Sequence, residues 1–221
     1  MPEQPPILLG SGRGLSNDVG QHKDVIVIIA ATPAKLHWNY FVALERDMEQ
    51  LSRYVEFCEA NFLVYSVELA HLLFAAASEV DVVCKLICEQ VSPGARRDSI
   101  NDYKAVLLQA LPELPYTEVF VPRYGLSYRP WLNWEGDRNP DWWRSYNAVK
   151  HERDAHFNQA TLQNALNALG ALLVLTFHYY SRKLAPEPGQ VLKPKHTTRE
   201  LLPESTLLRL QESSYYSQIV V

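Results

Sequence analysis

The segment EANFLVYSVELAHLLFAAASEVDVVCKLICEQV, residues 59 to 91, is apolar on most sides between Leu63 and Ala77 and closes on Ser92, Pro93 and Gly94. A helix that is apolar nearly all round must be enclosed by other helices. The chain is therefore expected to be mainly α, with this segment at the centre of a bundle of four to five helices. The sequence supplies the partners. Leu36, Tyr40, Leu44, Met48, Leu51 and Val55 recur at steps of four, four, four, three and four, the spacing of one helix face, behind Thr32 and Pro33 as cap and first helical position. SINDYKAVLLQAL, 99 to 111, predicts a further helix closed by Pro112 and Pro115. QATLQNALNALGALLVLTFHYYSRK predicts the last long helix, with Leu162, Leu166, Leu169, Leu173 and Phe177 facing inward.

The remaining segments read as smaller pieces. Residues 1 to 22 carry prolines and a GSGRG cluster and are expected to be a flexible arm; GSGRG lacks the Gly-Lys-Ser/Thr ending of a phosphate loop. DVIVIIA, 24 to 30, reads as a short buried strand. TEVFVP and GLSYRPW read as a hairpin turning about Arg123 to Gly125, inside an insert of about 112 to 138, and Pro122 and Pro130 confine it to a sheet edge. From 184 to 221 the prolines between Pro186 and Pro203 predict an irregular tail, whose terminal SYYSQIVV is strand-like and could pair with DVIVIIA. The domain proper is thus 23 to 183.

Composition narrows the function classes. The chain of 221 residues fits one domain, and a net charge of −4 excludes a whole-protein electrostatic footprint for nucleic acid, so any RNA contact must be local. The start lacks a secretory signal, and the apolar runs DVIVIIAA and LGALLVLTF fall short of the roughly 20 residues that span a bilayer. A cytoplasmic protein without membrane contact is expected. Cys58, Cys84 and Cys88 lie in apolar helix-like segments, which argues against a disulfide framework. No His or acid cluster at zinc spacing accompanies Cys84 and Cys88, so buried thiols are expected and neither metal nor cofactor. His71 reads as a core histidine, Asp81 and Lys85 as a surface pair, and Glu79 as either solvated or turned toward a polar site.

The chemistry concentrates in NPDWWRSYNAVKHERDAHF, residues 139 to 157. Asn139 is a good N-cap, Pro140 a good first position, and Asp141 suits the positive helix end. Within the helix Arg144, Asn147 and His151 fall within about 60° of one another, at roughly 100° per residue. Tyr146 and Lys150 form a neighbouring stripe, while Trp143 and Val149 can face the core. An imidazole to move a proton, a guanidinium to bind phosphate oxygens and an amide to orient either suit a phosphodiester without a metal. His151, Glu152 and His156 do not make the zinc motif H-E-x-x-H, because histidines five apart lie about 140° round a helix. Ser145 lacks the Gly-x-Ser-x-Gly turn of a hydrolase nucleophile.

A helical bundle with an Asn and His stripe before its last long apolar helix resembles the HEPN superfamily (higher eukaryotes and prokaryotes nucleotide-binding), over residues 38 to 183. That family's signature is an arginine, four to six residues, then a histidine, often R-N-x-x-x-H. YNAVKH matches its end at Asn147 and His151 with Tyr146 in the arginine position; Arg144, separated from the histidine by six residues, meets the looser form, and Arg153 follows two residues after the histidine. The resemblance implies a metal-independent endoribonuclease, often a toxin or antiphage-defence effector, in which two protomers face their motifs across a composite cleft. It further implies His151 as proton carrier, Arg144 as stabiliser of the pentavalent phosphate and Asn147 as the orienting amide. Lys150 and Arg153 would contact the RNA, and Tyr146, Trp142 or Trp143 could stack a base, although core anchoring is the simpler role for the tryptophans. A non-catalytic HEPN-like module that dimerises or binds a nucleotide or partner is the alternative. A third is a subunit whose arm and tail dock an antitoxin or other defence partner.

Overall fold

α2 (Val67–Val91) and α6 (Leu162–Lys183) pack along one another more extensively than any other pair, and the rest of the fold is built on them. The structure is a computed structural model and describes residues 33–216. Those residues contain eight α-helices and one two-stranded antiparallel hairpin, as expected of a mainly α fold. Every side chain of α6 from Ala168 to Phe177 is buried, and all five predicted inward residues lie in the core. No helix among the described residues is long and apolar enough to cross a membrane. The arm with its GSGRG, the expected strand DVIVIIA and the Thr32 cap lie outside the described residues, as does the end of SYYSQIVV.

α1 (Leu36–Leu51) and α3 (Ile100–Ala110) flank α2. α3 begins with a capping box, in which the Ser99 hydroxyl accepts from the Asp102 amide while the Asp102 carboxylate accepts from the Ser99 amide at 3.0 Å. The hairpin joins β1 (Val119–Val121) to β2 (Leu126–Tyr128) in the register Val119 to Tyr128, through Pro122–Tyr124 and a left-handed Gly125 at φ 63°. α4 (Asp141–His151), a short α5 (Arg153–His156), α7 (Pro194–Glu200) and α8 (Glu212–Tyr215) complete the order.

The hairpin sits hard against α6. A Cβ at Gly170 would lie 2.7 Å from Tyr128 Cε2, and the Tyr128 hydroxyl is itself held by donating to the Leu166 carbonyl at 2.8 Å. Gly170→Ala is expected to destabilise the protein by about 1–3 kcal/mol, the range for overpacking a filled core. An unchanged denaturation midpoint would show that Tyr128 swings aside without cost.

His178 on α6 keeps a partly exposed edge, yet desolvation among its packed neighbours, helped by the Arg182 guanidinium, lowers its pKa to about 4. The folded chain thus holds this imidazole neutral while the unfolded chain takes up a proton near pH 6.5. Stability should fall as the pH drops from about 6.5 toward about 4, because the unfolded state binds the extra proton over that window. Denaturation of His178→Gln at pH 7 and pH 5 should show a smaller loss than wild type.

Several expectations are corrected. The buried face of α1 is Trp38, Phe41, Val42, Glu45 and Met48, with Leu44 and Leu51 at its margin, whereas Leu36 and Tyr40 are exposed and Val55 lies beyond the helix. Steps of four drift by about 40° each, so a run of them leaves the true contact stripe. α2 starts at Val67 rather than near 59, because Ser66 caps it by accepting from the Leu69 amide at 3.1 Å. Leu63, Val64, Tyr65 and Val67 ahead of its buried length are exposed, and so is His71, which stands 3.8 Å from Glu68 instead of in the core. Cys84 and Cys88 are buried free thiols, with burial pushing the Cys88 pKa up to about 11. Asp81 and Lys85 pair at 2.5 Å, and Glu79 turns to the His37 Nδ1 at 2.5 Å.

The largest correction concerns the tail. Leu201, Leu207, Leu208 and Leu210 are core residues, and Arg209 pairs with Phe120 through both backbone bonds, at 2.8 and 2.9 Å, alongside the hairpin. α8 includes Ser214 and Tyr215, which the sequence pattern assigned to a strand. One carboxylate adds a cluster of hydrogen bonds between α1 and the tail, beside the bond from the Trp38 indole to the Pro203 carbonyl. Glu45, 1% exposed, accepts from the amides of Thr206, Leu207 and Leu208 at 3.1, 3.0 and 2.8 Å, and from the Ser205 hydroxyl.

Candidate functional site

α4 presents two unlike faces. Trp142, Ser145, Tyr146 and Val149 are buried, while Arg144, Lys150 and His151 are exposed and Asn147 is half-buried. The buried face is held by an aromatic ladder that begins in the 112 to 138 insert: Trp131 lies tilted against Trp134 with centroids 4.4 Å apart and meets Trp142 edge-on at 5.4 Å. Trp142, Trp143, Tyr146 and then Phe74 of α2 continue it, with centroids 5.5 to 5.9 Å apart. The Trp142 indole donates to the Pro130 carbonyl at 2.8 Å. Further along, Val149 packs with Ala70 and Ala160. Tilted and edge-to-face rings pack this side of α4, so the helix turns its polar face outward.

The helix entrance differs from expectation. Pro140 occupies the N-cap position, and Asn139 donates to Asn101 at 3.1 Å instead of capping. Asp141 instead organises the first turn, accepting from Arg138 at 2.9 Å and from Arg144 at 3.2 Å. Arg144 is thus drawn toward the N-terminal end of α4, whereas His151 ends the helix about 10 Å further along the axis at 1.5 Å per residue. Asn147 donates to the Trp143 carbonyl at 2.9 Å and keeps its Oδ1 as an acceptor one turn before His151. Among the described residues no hydrogen bond to the His151 ring is present, and the imidazole faces solvent.

The other sequence-selected residues gather round this end. Lys150 donates to the Tyr146 hydroxyl at 3.3 Å and lies 5.3 Å from that ring's centroid. Tyr146 is only 8% exposed between Phe74 and Trp143, so its ring is a packing element and offers no face for a base; Trp142 is buried likewise. After His151 the helix ends at Glu152, and α5 turns Arg153 over the Phe157 ring at 4.9 Å. His156 goes to Glu152 at 3.4 Å and Gln159 at 3.2 Å, away from any zinc arrangement. Among the described residues no cluster of three His, Cys, Asp or Glu side chains could hold a metal.

Two of the larger concavities among the described residues lie elsewhere. One of about 440 Å³ between α1 and α2 is lined by Asp47, Tyr54, Glu68 and His71, and one of about 550 Å³ beside the hairpin is lined by Phe120, Leu126 and Arg209. Neither includes the α4 stripe. Sequence reasoning also passed over Tyr65, whose exposed ring meets Phe157 edge-on at 5.7 Å. Its only signal was an apolar residue just before the Ser66 cap, easily absorbed into the helix that follows. No protein-family model, no curated protein and no solved structure matches this chain.

Proposed function

We propose that the exposed end of α4 is the active site of a metal-independent, HEPN-type endoribonuclease that works as a homodimer, in the manner of a toxin or antiphage-defence effector. The observation that carries this reading is a solvent-facing His151 that ends a helix whose opposite face is packed with tryptophans, flanked in the chain by the exposed cations Lys150 and Arg153. In the reaction the ribose 2′-hydroxyl attacks the adjacent phosphorus, the new 2′-O–P bond forms as the P–5′-O bond breaks, and a cyclic phosphate results. His151 takes the 2′-hydroxyl proton or returns one to the leaving 5′-oxygen, and two copies bring an imidazole for each task. Asn147 Oδ1 orients the ring, and the arginines stabilise charge on the phosphate. Arg144 joins only after leaving Asp141, so Arg153 is the guanidinium nearer to hand along the chain.

A second reading has its own support. Arg144 is tied to Asp141 and Asn147 to its own helix, which suits a non-catalytic HEPN-like module that dimerises or binds a nucleotide or partner. Incubating the purified chain with RNA in EDTA separates the two. Cleavage by wild type that His151→Ala loses supports the ribonuclease. Intact RNA with a folded dimer supports the module.

A further inference from the structure

Tyr146 and Trp142 are buried, and the half-buried Trp143 lies about two turns before His151, so a ribonuclease at this end of α4 needs a nearer surface to hold a single strand. The residues just ahead of α2 provide one. Tyr65 is 50% exposed, and its backbone is fixed by an antiparallel bridge to Thr161, with the Leu162 amide donating to Val64 at 2.9 Å and the Gln163 amide to Phe62 at 3.1 Å. Its ring meets Phe157 edge-on at 5.7 Å and 86°, and the Arg153 guanidinium covers Phe157 at 4.9 Å. Tyr65, Phe157 and Arg153 thus form a continuous aromatic and cationic ledge that starts two residues beyond His151.

We propose that Tyr65 is the base-stacking platform of this site, gripping a nucleobase of single-stranded RNA on its exposed face while Arg153 holds the neighbouring phosphate. The assignment rests on the ribonuclease reading of α4 and names how its substrate is held. Aromatic faces accept any base, and the bridge to Thr161 holds the backbone that carries this ring. Local charge points the same way. Lys150 and Arg153 are offset by the exposed Glu152 and Asp154, so phosphate attraction alone is weak and stacking must carry much of the grip. Leu63 and Val67 are exposed beside Tyr65 and would equally suit a protein partner. The side chain at position 65 tells the two apart, since a base needs a π-face and a protein surface needs only apolar area.

The test is fluorescence anisotropy of a labelled single-stranded RNA oligonucleotide with the full chain, in a His151→Ala background that leaves the RNA intact. Tyr65→Ala and Tyr65→Leu should each weaken binding by about tenfold, and Tyr65→Phe by less than about twofold. The ratio should hold between about 50 and 200 mM salt, because no charge is removed. Tight binding by Tyr65→Leu would overturn the platform in favour of a protein-docking patch, and unchanged binding by Tyr65→Ala would overturn it while leaving the ribonuclease reading intact. Absence of RNA binding together with absence of cleavage by wild type would remove both.

Discussion

Glu45→Ala is expected to lose about 3–5 kcal/mol of folding stability, enough to consume much of the roughly 5–15 kcal/mol typical of a domain. The carboxylate is enclosed, and the buried amides of Leu207 and Leu208 would be left without an acceptor, while the Thr206 amide sits at an exposed residue and the Ser205 hydroxyl keeps the Leu208 carbonyl. An unsatisfied buried donor costs more than a made hydrogen bond contributes. Glu45→Gln should fall between, because an amide keeps one accepting oxygen but turns its own N–H groups toward other donors. Urea denaturation gives the magnitude, and limited proteolysis gives the place. Cleavage should appear first within 201 to 216, since Glu45 joins that segment to α1. A variant as stable as wild type, with a protected tail, would show that Leu207, Leu208 and the Phe120 to Arg209 pairing hold the segment alone.

The same carboxylate marks where the sequence could be read and where it could not. α2, α3 and α6 were legible because long apolar runs with clear stops can only be enclosed helices, and the hairpin because Gly125 separates two β-rich runs. The tail was not, because its leucines sit among prolines without period and gain their partners from α1 and β1, far away in the chain. Glu45 looked like any surface acid in an amphipathic helix. At the site, the polar stripe of α4 was readable from helical geometry alone, and Arg144, Asn147 and His151 do share one helix. The burial of Tyr146 was not, since it depends on Phe74 approaching from α2. Nor was the pull of Asp141 on Arg144, a choice among rotamers that spacing does not decide.

The second large effect is functional. His151→Ala should lower RNA cleavage by about 10²–10⁴-fold, the range for loss of a proton-transfer group. Its stability should change by less than about 0.5 kcal/mol, because the side chain is exposed and no described residue bonds to it. The pairing of a large activity loss with an unmoved denaturation midpoint is what sets a catalytic histidine apart from a structural one.

The measurement that bears most directly on the proposed ribonuclease activity is end-group analysis of RNA incubated with wild type and His151→Ala in EDTA, beside an oligonucleotide with a single 2′-deoxy sugar at a cleaved position. Wild type should leave cyclic phosphate and 5′-hydroxyl ends, spare the deoxy position, and lose both behaviours in the variant. Equal cleavage by the variant, or intact RNA with a folded and dimeric wild type, would contradict the assignment and return α4 to the role of a binding face.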